Sequence, residues 1–179
     1  MSLMSLSPLP AVDVHDKFIF IGIQKTGLHS VWDALDGRII RKGPKLKSYS
    51  ENDILEKFKF TIVRNPWDRM ISAFFALKRK KNIKDFNQFL EDKLYLSKNL
   101  LGPDIMQHPR IVYADFIARL ENIEKDWDFI CEKIECKNKL KKLNATKHDH
   151  YSAYYNDESK EIVGKIFEKD IEILGYEFV

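Results

Sequence analysis

Phe18 to Ile23 (FIFIGI) is a short continuous apolar run, the pattern of a parallel strand buried on both faces. Gln-Lys-Thr-Gly follows, and then a helical pattern ending at Gly37, so this stretch predicts a strand, a loop and a helix. The order repeats from Phe58. FKFTIV is a second buried-type strand, Arg64 closes it, and Asn65-Pro66 opens a helix with proline in the favoured first position. On that helix Trp67, Met70, Ile71, Phe74 and Phe75 recur at i, i+3, i+4, i+7 and i+8 and predict a core stripe. Arg38 to Ile40 and Arg110 to Tyr113 read as further short strands, and Ser50 or Asn52 as the cap of a short helix up to Lys57. Phe86, Phe89, Leu90 and Leu94 mark one helix, and Ile123, Trp127, Ile130, Cys131 and Ile134 another. Ile162, Val163, Ile166 and Phe167 define a last amphipathic helix, with Asp157 and Glu158 near its positive end and Lys165 and Lys169 toward its negative end.

Strands alternating with helices predict an α/β fold with a central parallel β-sheet flanked by helices. Ligands of such sheets bind at the carboxyl ends of the strands, where both special loops fall. The chain's 179 residues, 44% hydrophobic, suit one domain with a substantial core, which we place at residues 17–179. Residues 1–16 read as a disordered or tag-derived N-terminus, with a repeated MSL at Met1 and Met4. Thirty basic against 27 acidic side chains, a formal +3, argue against nucleic-acid wrapping, so any basic function is local. No run approaches the ~18 apolar residues of a membrane span, and no secretory leader is evident. Cys131 and Cys136, five apart in a stretch that reads as helix, point about 140° apart and predict no disulfide. Without a nearby Cys/His pair they make no zinc site, and the expected compartment is cytoplasmic.

Gly22 and Gly27 have the spacing of the nucleotide P-loop, G-x-x-x-x-G-K-[ST], but Leu28 and His29 occupy its Lys and Ser/Thr positions. The cation lies inside the loop instead, at Lys25, with Thr26 beside it and Ser30 on the first helical turn, so an amine, hydroxyls and backbone N–H groups can converge on one anion. Taken alone, the same stretch also suits an ordinary tight turn with a solvated lysine. In the second unit Arg64 offers a planar fork for phosphate and Ser72, two turns into the helix, a short donor. Arg64 is equally placed for a structural ion pair with Asp68.

Together FIFIGIQKTGLHSVWDAL resembles the 5′-phosphosulfate loop of sulfotransferases that use 3′-phosphoadenosine 5′-phosphosulfate (PAPS), and FKFTIVRNPWDRMISAFF resembles their 3′-phosphate segment. YADFIARLENIEKDW and YYNDESKEIVGKIFEKDIEILGYEF resemble later blocks of the carbohydrate branch that includes the chondroitin and dermatan sulfotransferases. The resemblance implies a P-loop NTPase-like sulfotransferase fold, with Lys25, Thr26, Gly27 and Ser30 on the 5′-phosphosulfate and Arg64 and Ser72 on the 3′-phosphate. It departs from the family pattern at Leu28 and His29, where small hydroxyl residues are commoner, and in GPKLKSYSEND, where many relatives carry a His or Glu as base.

Sulfuryl transfer needs in-line placement of a hydroxyl and charge stabilisation on the leaving oxygen, which positioning and fixed cations can supply without a metal. Lys25 is the candidate for that oxygen. His29 leads the candidates for the base, followed by His108 and then Glu51 and Glu121, with His148 and His150 as possible acceptor contacts. The basic stretches Arg41 to Lys47 and Lys78 to Lys81 suit an anionic acceptor such as a uronic-acid glycan, or simply a solvated face. The partners expected are PAPS, its product adenosine 3′,5′-bisphosphate (PAP) and a hydroxyl acceptor, with no nucleic acid and no membrane. Two alternatives remain: a P-loop kinase or other phosphotransferase, and a non-catalytic nucleotide- or polyanion-binding domain of the same fold.

Overall fold

The computed structural model describes residues 12–15, 17–35, 52, 55–78, 83–91, 106–143 and 148–179. The fold is a mixed α/β domain whose contacts gather into two compact units, Met1–Val63 with Arg110–Leu143, and Arg64–Pro109 with Asn144–Val179. Arg38 to Ile40, the Arg41 to Lys47 loop, Glu51 and most of the helix expected before Lys57 lie outside the described residues.

The first unit carries the sheet, ordered β1 (Val12–Val14), β2 (Phe18–Ile21), β3 (Phe58–Val63) and β4 (Phe116–Arg119). β2, β3 and β4 run parallel and β1 is antiparallel to β2. Residues 12–14 therefore belong to the sheet, a correction to their assignment to a disordered N-terminus. Alternation along the strands points Phe18, Phe20, Phe60, Ile62 and Ala118 into one core, which Leu28 and Val31 of α1 (Leu28–Ala34) join with Trp127, Ile130 and Ile134 of α5 (Ile123–Ile134). Phe20 stacks on its register partner Phe60 with ring centroids 5.1 Å apart. Side chains of this size contribute about 1.5–3 kcal/mol each on full burial. Ile19, Ile21, Thr61 and Val63, on the opposite face of β2 and β3, are buried too, as continuous apolar runs predict.

Arg110 to Tyr113 is not a strand. His108–Ile111 forms a helical turn, α4, and the strand is the segment after it. Asp115 sets that position: its backbone N–H donates to the Lys59 carbonyl at 2.7 Å while its carboxylate accepts from the Lys59 N–H at 2.8 Å and pairs with the Lys59 amine at 2.9 Å. The β-branched pattern Arg-Ile-Val-Tyr carries no sign of this pinning. Cys136 lies past the end of α5, which stops at Ile134, and the two cysteines form no disulfide with each other.

The second unit is helical. α2 (Pro66–Lys78) begins where sequence places it, because Asn65 Oδ1 accepts the N–H groups of Trp67 at 3.0 Å and Asp68 at 3.4 Å. Trp67, Met70, Ile71 and Phe74 are buried as expected, whereas Phe75 is half-buried. Phe74 packs against Phe86 and Phe89 of α3 (Phe86–Glu91), with centroids 5.6 Å away in each case. The last amphipathic helix is two: α6 (Asp157–Ile166) and α7 (Glu168–Leu174), broken at Phe167, so Lys169 lies in the first turn of α7 rather than near a C-terminus. Phe167 is fully buried under the Arg69 guanidinium, 5.8 Å from its ring centroid, and the bend turns Asp170 inward. A capping box between Asn156 and Ser159 fixes the start of α6.

The C-terminal segment is clasped to the head of α2. Phe178 packs edge-on against Trp67, Tyr151 and Tyr155, and the Asn65 side chain donates to the Glu177 carbonyl at 3.0 Å. Burial first, then the charge of Asp68 and the neighbouring Tyr151, pushes the Tyr155 hydroxyl well above the usual tyrosine range. It therefore stays neutral and donates to the Trp67 carbonyl at 2.9 Å. Among the described residues no helix is long and apolar enough to cross a membrane.

Candidate active site

The loop after β2 folds as a tight turn because each of its members has a fixed local role. Gly22 and Ile23 are buried, and the Thr26 hydroxyl, fully buried, donates to the Ile23 carbonyl at 2.9 Å. That proton braces the loop. Gly27 has φ +87° and a replacement Cβ would lie 3.1 Å from Leu120 Cδ1. Gly27→Ala therefore costs about 1–2 kcal/mol through the left-handed backbone, read as a lower denaturation midpoint.

Lys25 has φ +69°, a conformation that side chains disfavour. Among the described residues the other non-glycine residue with positive φ, Glu135, is the left-handed cap that ends α5, an ordinary place for it. Lys25 ends no helix. It sits on the entrance to α1, and strain of this kind concentrates at functional turns. Among the described residues the backbone N–H groups of Gly27, Leu28 and His29 have no acceptor, whereas Ser30 N–H donates to the Gly27 carbonyl at 2.9 Å. The Ser30 hydroxyl oxygen accepts the Leu143 N–H at 3.2 Å, which leaves its own proton to donate. A lysine, a serine hydroxyl and three N–H groups thus gather on one short segment.

In the second unit Arg64 follows the last residue of β3. Asp68, one helical turn on, accepts from Arg64 Nε at 2.8 Å and pairs with Nη2 at 2.8 Å, so the ion pair weighed from sequence is formed. Two of the five guanidinium N–H donors meet that carboxylate, which fixes the plane of the fork. The main chain of Arg64 is held as well: its N–H donates to Gln107 Oε1 and its carbonyl accepts from Gln107 Nε2, both at 2.9 Å. Ser72 is half-buried on α2, and its hydroxyl has no hydrogen-bond partner among the described residues.

The family model described as the sulfotransferase family matches residues 11–177. The chain belongs to the sulfotransferase family. Among solved structures this sulfotransferase is similar to mouse sulfotransferase SULT7A1 complexed with PAP, at 14% identity and a TM-score of 0.55, over 94% of this chain and 88% of that one. At that identity the likeness shows the fold. No curated protein sequence matches the chain.

The position that carries lysine in a nucleotide P-loop is closed to that role in this sulfotransferase, since Leu28 is only 4% exposed and packs in the core. His29 lies on the exposed side of α1 with its ring edge-on to Trp32 at 5.2 Å. Glu121 is exposed in the 3-10 turn Leu120–Asn122. His148 is not simply solvated: it stacks on Phe75, with centroids 5.1 Å apart and planes within 3°. His150 pairs with the Ser152 hydroxyl at 2.8 Å. Lys78 is exposed and reaches over the Phe74 ring, while residues 79–81 lie outside the described residues.

His108 holds the Asp170 carboxylate through Nδ1 at 2.8 Å. Gln107 and Asp170 are polar residues that sequence reasoning passes over, both fully buried. Their partners lie 43 to 63 residues away in the chain, a separation that no local pattern encodes.

Proposed function

We propose that this sulfotransferase moves a sulfuryl group from PAPS to a hydroxyl of a carbohydrate acceptor. The observation that carries the reading is the Lys25 turn, with a cation held in a left-handed backbone among unpartnered N–H groups at the start of α1. The family match over residues 11–177 and a structural neighbour complexed with PAP support the donor class. Likeness of the Tyr113 to Trp127 and Tyr154 to Phe178 blocks to carbohydrate sulfotransferases supports the acceptor class.

In this reading Lys25, the Thr26, Gly27 and Leu28 N–H groups and the Ser30 hydroxyl hold the 5′-phosphosulfate, and Arg64 and Ser72 hold the 3′-phosphate. As the acceptor oxygen forms its bond to sulfur, the bond from sulfur to the bridging phosphate oxygen breaks. Lys25 neutralises the charge growing on that oxygen. His29 takes the proton of the acceptor hydroxyl, the work of a general base.

The test is transfer of radiolabelled sulfate from PAPS to a panel of glycan and small hydroxyl acceptors, run beside magnesium-dependent ATP turnover. Sulfated glycan and no ATP turnover are expected. ATP turnover without sulfation would restore the kinase reading, and PAP binding without transfer the non-catalytic one. In the same assay His29→Gln should lower turnover by about 10²-fold with donor KM retained; wild-type turnover would remove His29 from the mechanism.

A further inference from the structure

Arg64 is the first residue past β3, where the sheet ladder no longer supplies partners for its main chain. Gln107 supplies them. Its side-chain amide closes a ring with Arg64, accepting from the N–H and donating to the carbonyl at 2.9 Å each, and Gln107 is fully buried. A buried amide holds such a ring in place only if its own backbone is anchored, and the anchor here is Asp170 on α7. The Gln107 N–H reaches both carboxylate oxygens, at 3.0 and 2.8 Å, and the His108 N–H and Nδ1 each meet Oδ1 at 2.8 Å. A fully buried carboxylate is tolerated only when hydrogen-bonded in this way.

We propose that Gln107 and Asp170 are positioning residues that hold Arg64 for the 3′-phosphate of the donor, so that a carboxylate on α7 sets the affinity of a site it does not touch. The inference rests on the reading of Arg64 as the 3′-phosphate grip and extends it. Asp68 fixes the guanidinium and Gln107 fixes the backbone from which it projects, so the two restraints define both ends of one side chain. Loss of the Gln107 restraint leaves the fork paired to Asp68 but lets its origin drift, and a displacement on the ångström scale is costly at a charge-assisted contact.

The experiment measures PAP dissociation constants, donor and acceptor KM, kcat and melting temperature for Gln107→Met, which keeps size and removes the amide, and for Asp170→Asn, which keeps shape and removes charge. Arg64→Ala is the reference. Gln107→Met should raise PAP Kd and donor KM on the order of tenfold, and Asp170→Asn on the order of threefold, with the change falling on donor KM rather than on kcat or acceptor KM. A purely structural role would lower the melting temperature and leave donor KM where it was. Should Gln107→Met fail to fold, the donor KM of Asp170→Asn decides. Arg64→Ala with unchanged PAP affinity would sink the parent reading. Weakened PAP binding in Arg64→Ala, with wild-type affinity in the folded Gln107 and Asp170 variants, would overturn the relay alone.

Discussion

Lys25→Ala should lower turnover by about 10²–10³-fold while PAP affinity changes far less, because a cation aimed at the leaving oxygen acts where charge develops and not where it already sits. The backbone adds a sharper form of the same test. Lysine at φ +69° is held against its own preference, and alanine inherits the strain, whereas glycine relieves it. Lys25→Gly should therefore be more stable than wild type, by about 1 kcal/mol, and still lack turnover. A residue kept only for the turn would gain the same stability in the glycine variant but lose no rate. Thermal denaturation and single-turnover transfer, run on the same two variants, separate the outcomes.

Arg64→Ala should erase the preference for a 3′-phosphate. A charge-assisted contact contributes about 1.5–3 kcal/mol, so wild-type protein should bind PAP roughly 10- to 100-fold more tightly than adenosine 5′-monophosphate. In the variant the two ligands should bind nearly alike, with Asp68 left as an unpaired acid beside the 3′ position. The Arg64–Asp68 ion pair is what a structural role also requires, and it is formed. The two roles part in the ratio. If the ion pair alone matters, Arg64→Ala lowers stability and the preference for PAP persists, which titration calorimetry with both nucleotides would reveal.

The parts of this fold that pattern reading finds are those whose cause is local. FIFIGI and FKFTIV announce buried parallel strands because both of their faces are covered, and Asn65-Pro66 announces α2 because capping needs only the next two or three N–H groups. β4 lies later in the chain than the apolar pattern suggests because Asp115 and Lys59, 56 residues apart, decide where its ladder begins. The break at Phe167 is hidden from pattern reading for a similar reason: the apolar period continues through it, while Phe167 and Asp170 are both buried at the bend. In the candidate site the residues proposed for the donor, Lys25 and Arg64, are suggested by loop chemistry and family likeness. Their supports are not. The bond by which the Thr26 hydroxyl braces the loop does not show in the sequence, and Gln107 and Asp170 resemble surface residues until the chain brings them inside.

A crystal structure with bound PAP tests the central claim most directly. The account predicts the 5′-phosphate against the Lys25 amine, the Thr26 to Leu28 N–H groups and the Ser30 hydroxyl, and the 3′-phosphate on the Arg64 guanidinium with Ser72 beside it. A nucleotide bound with either phosphate away from its assigned residues would contradict it.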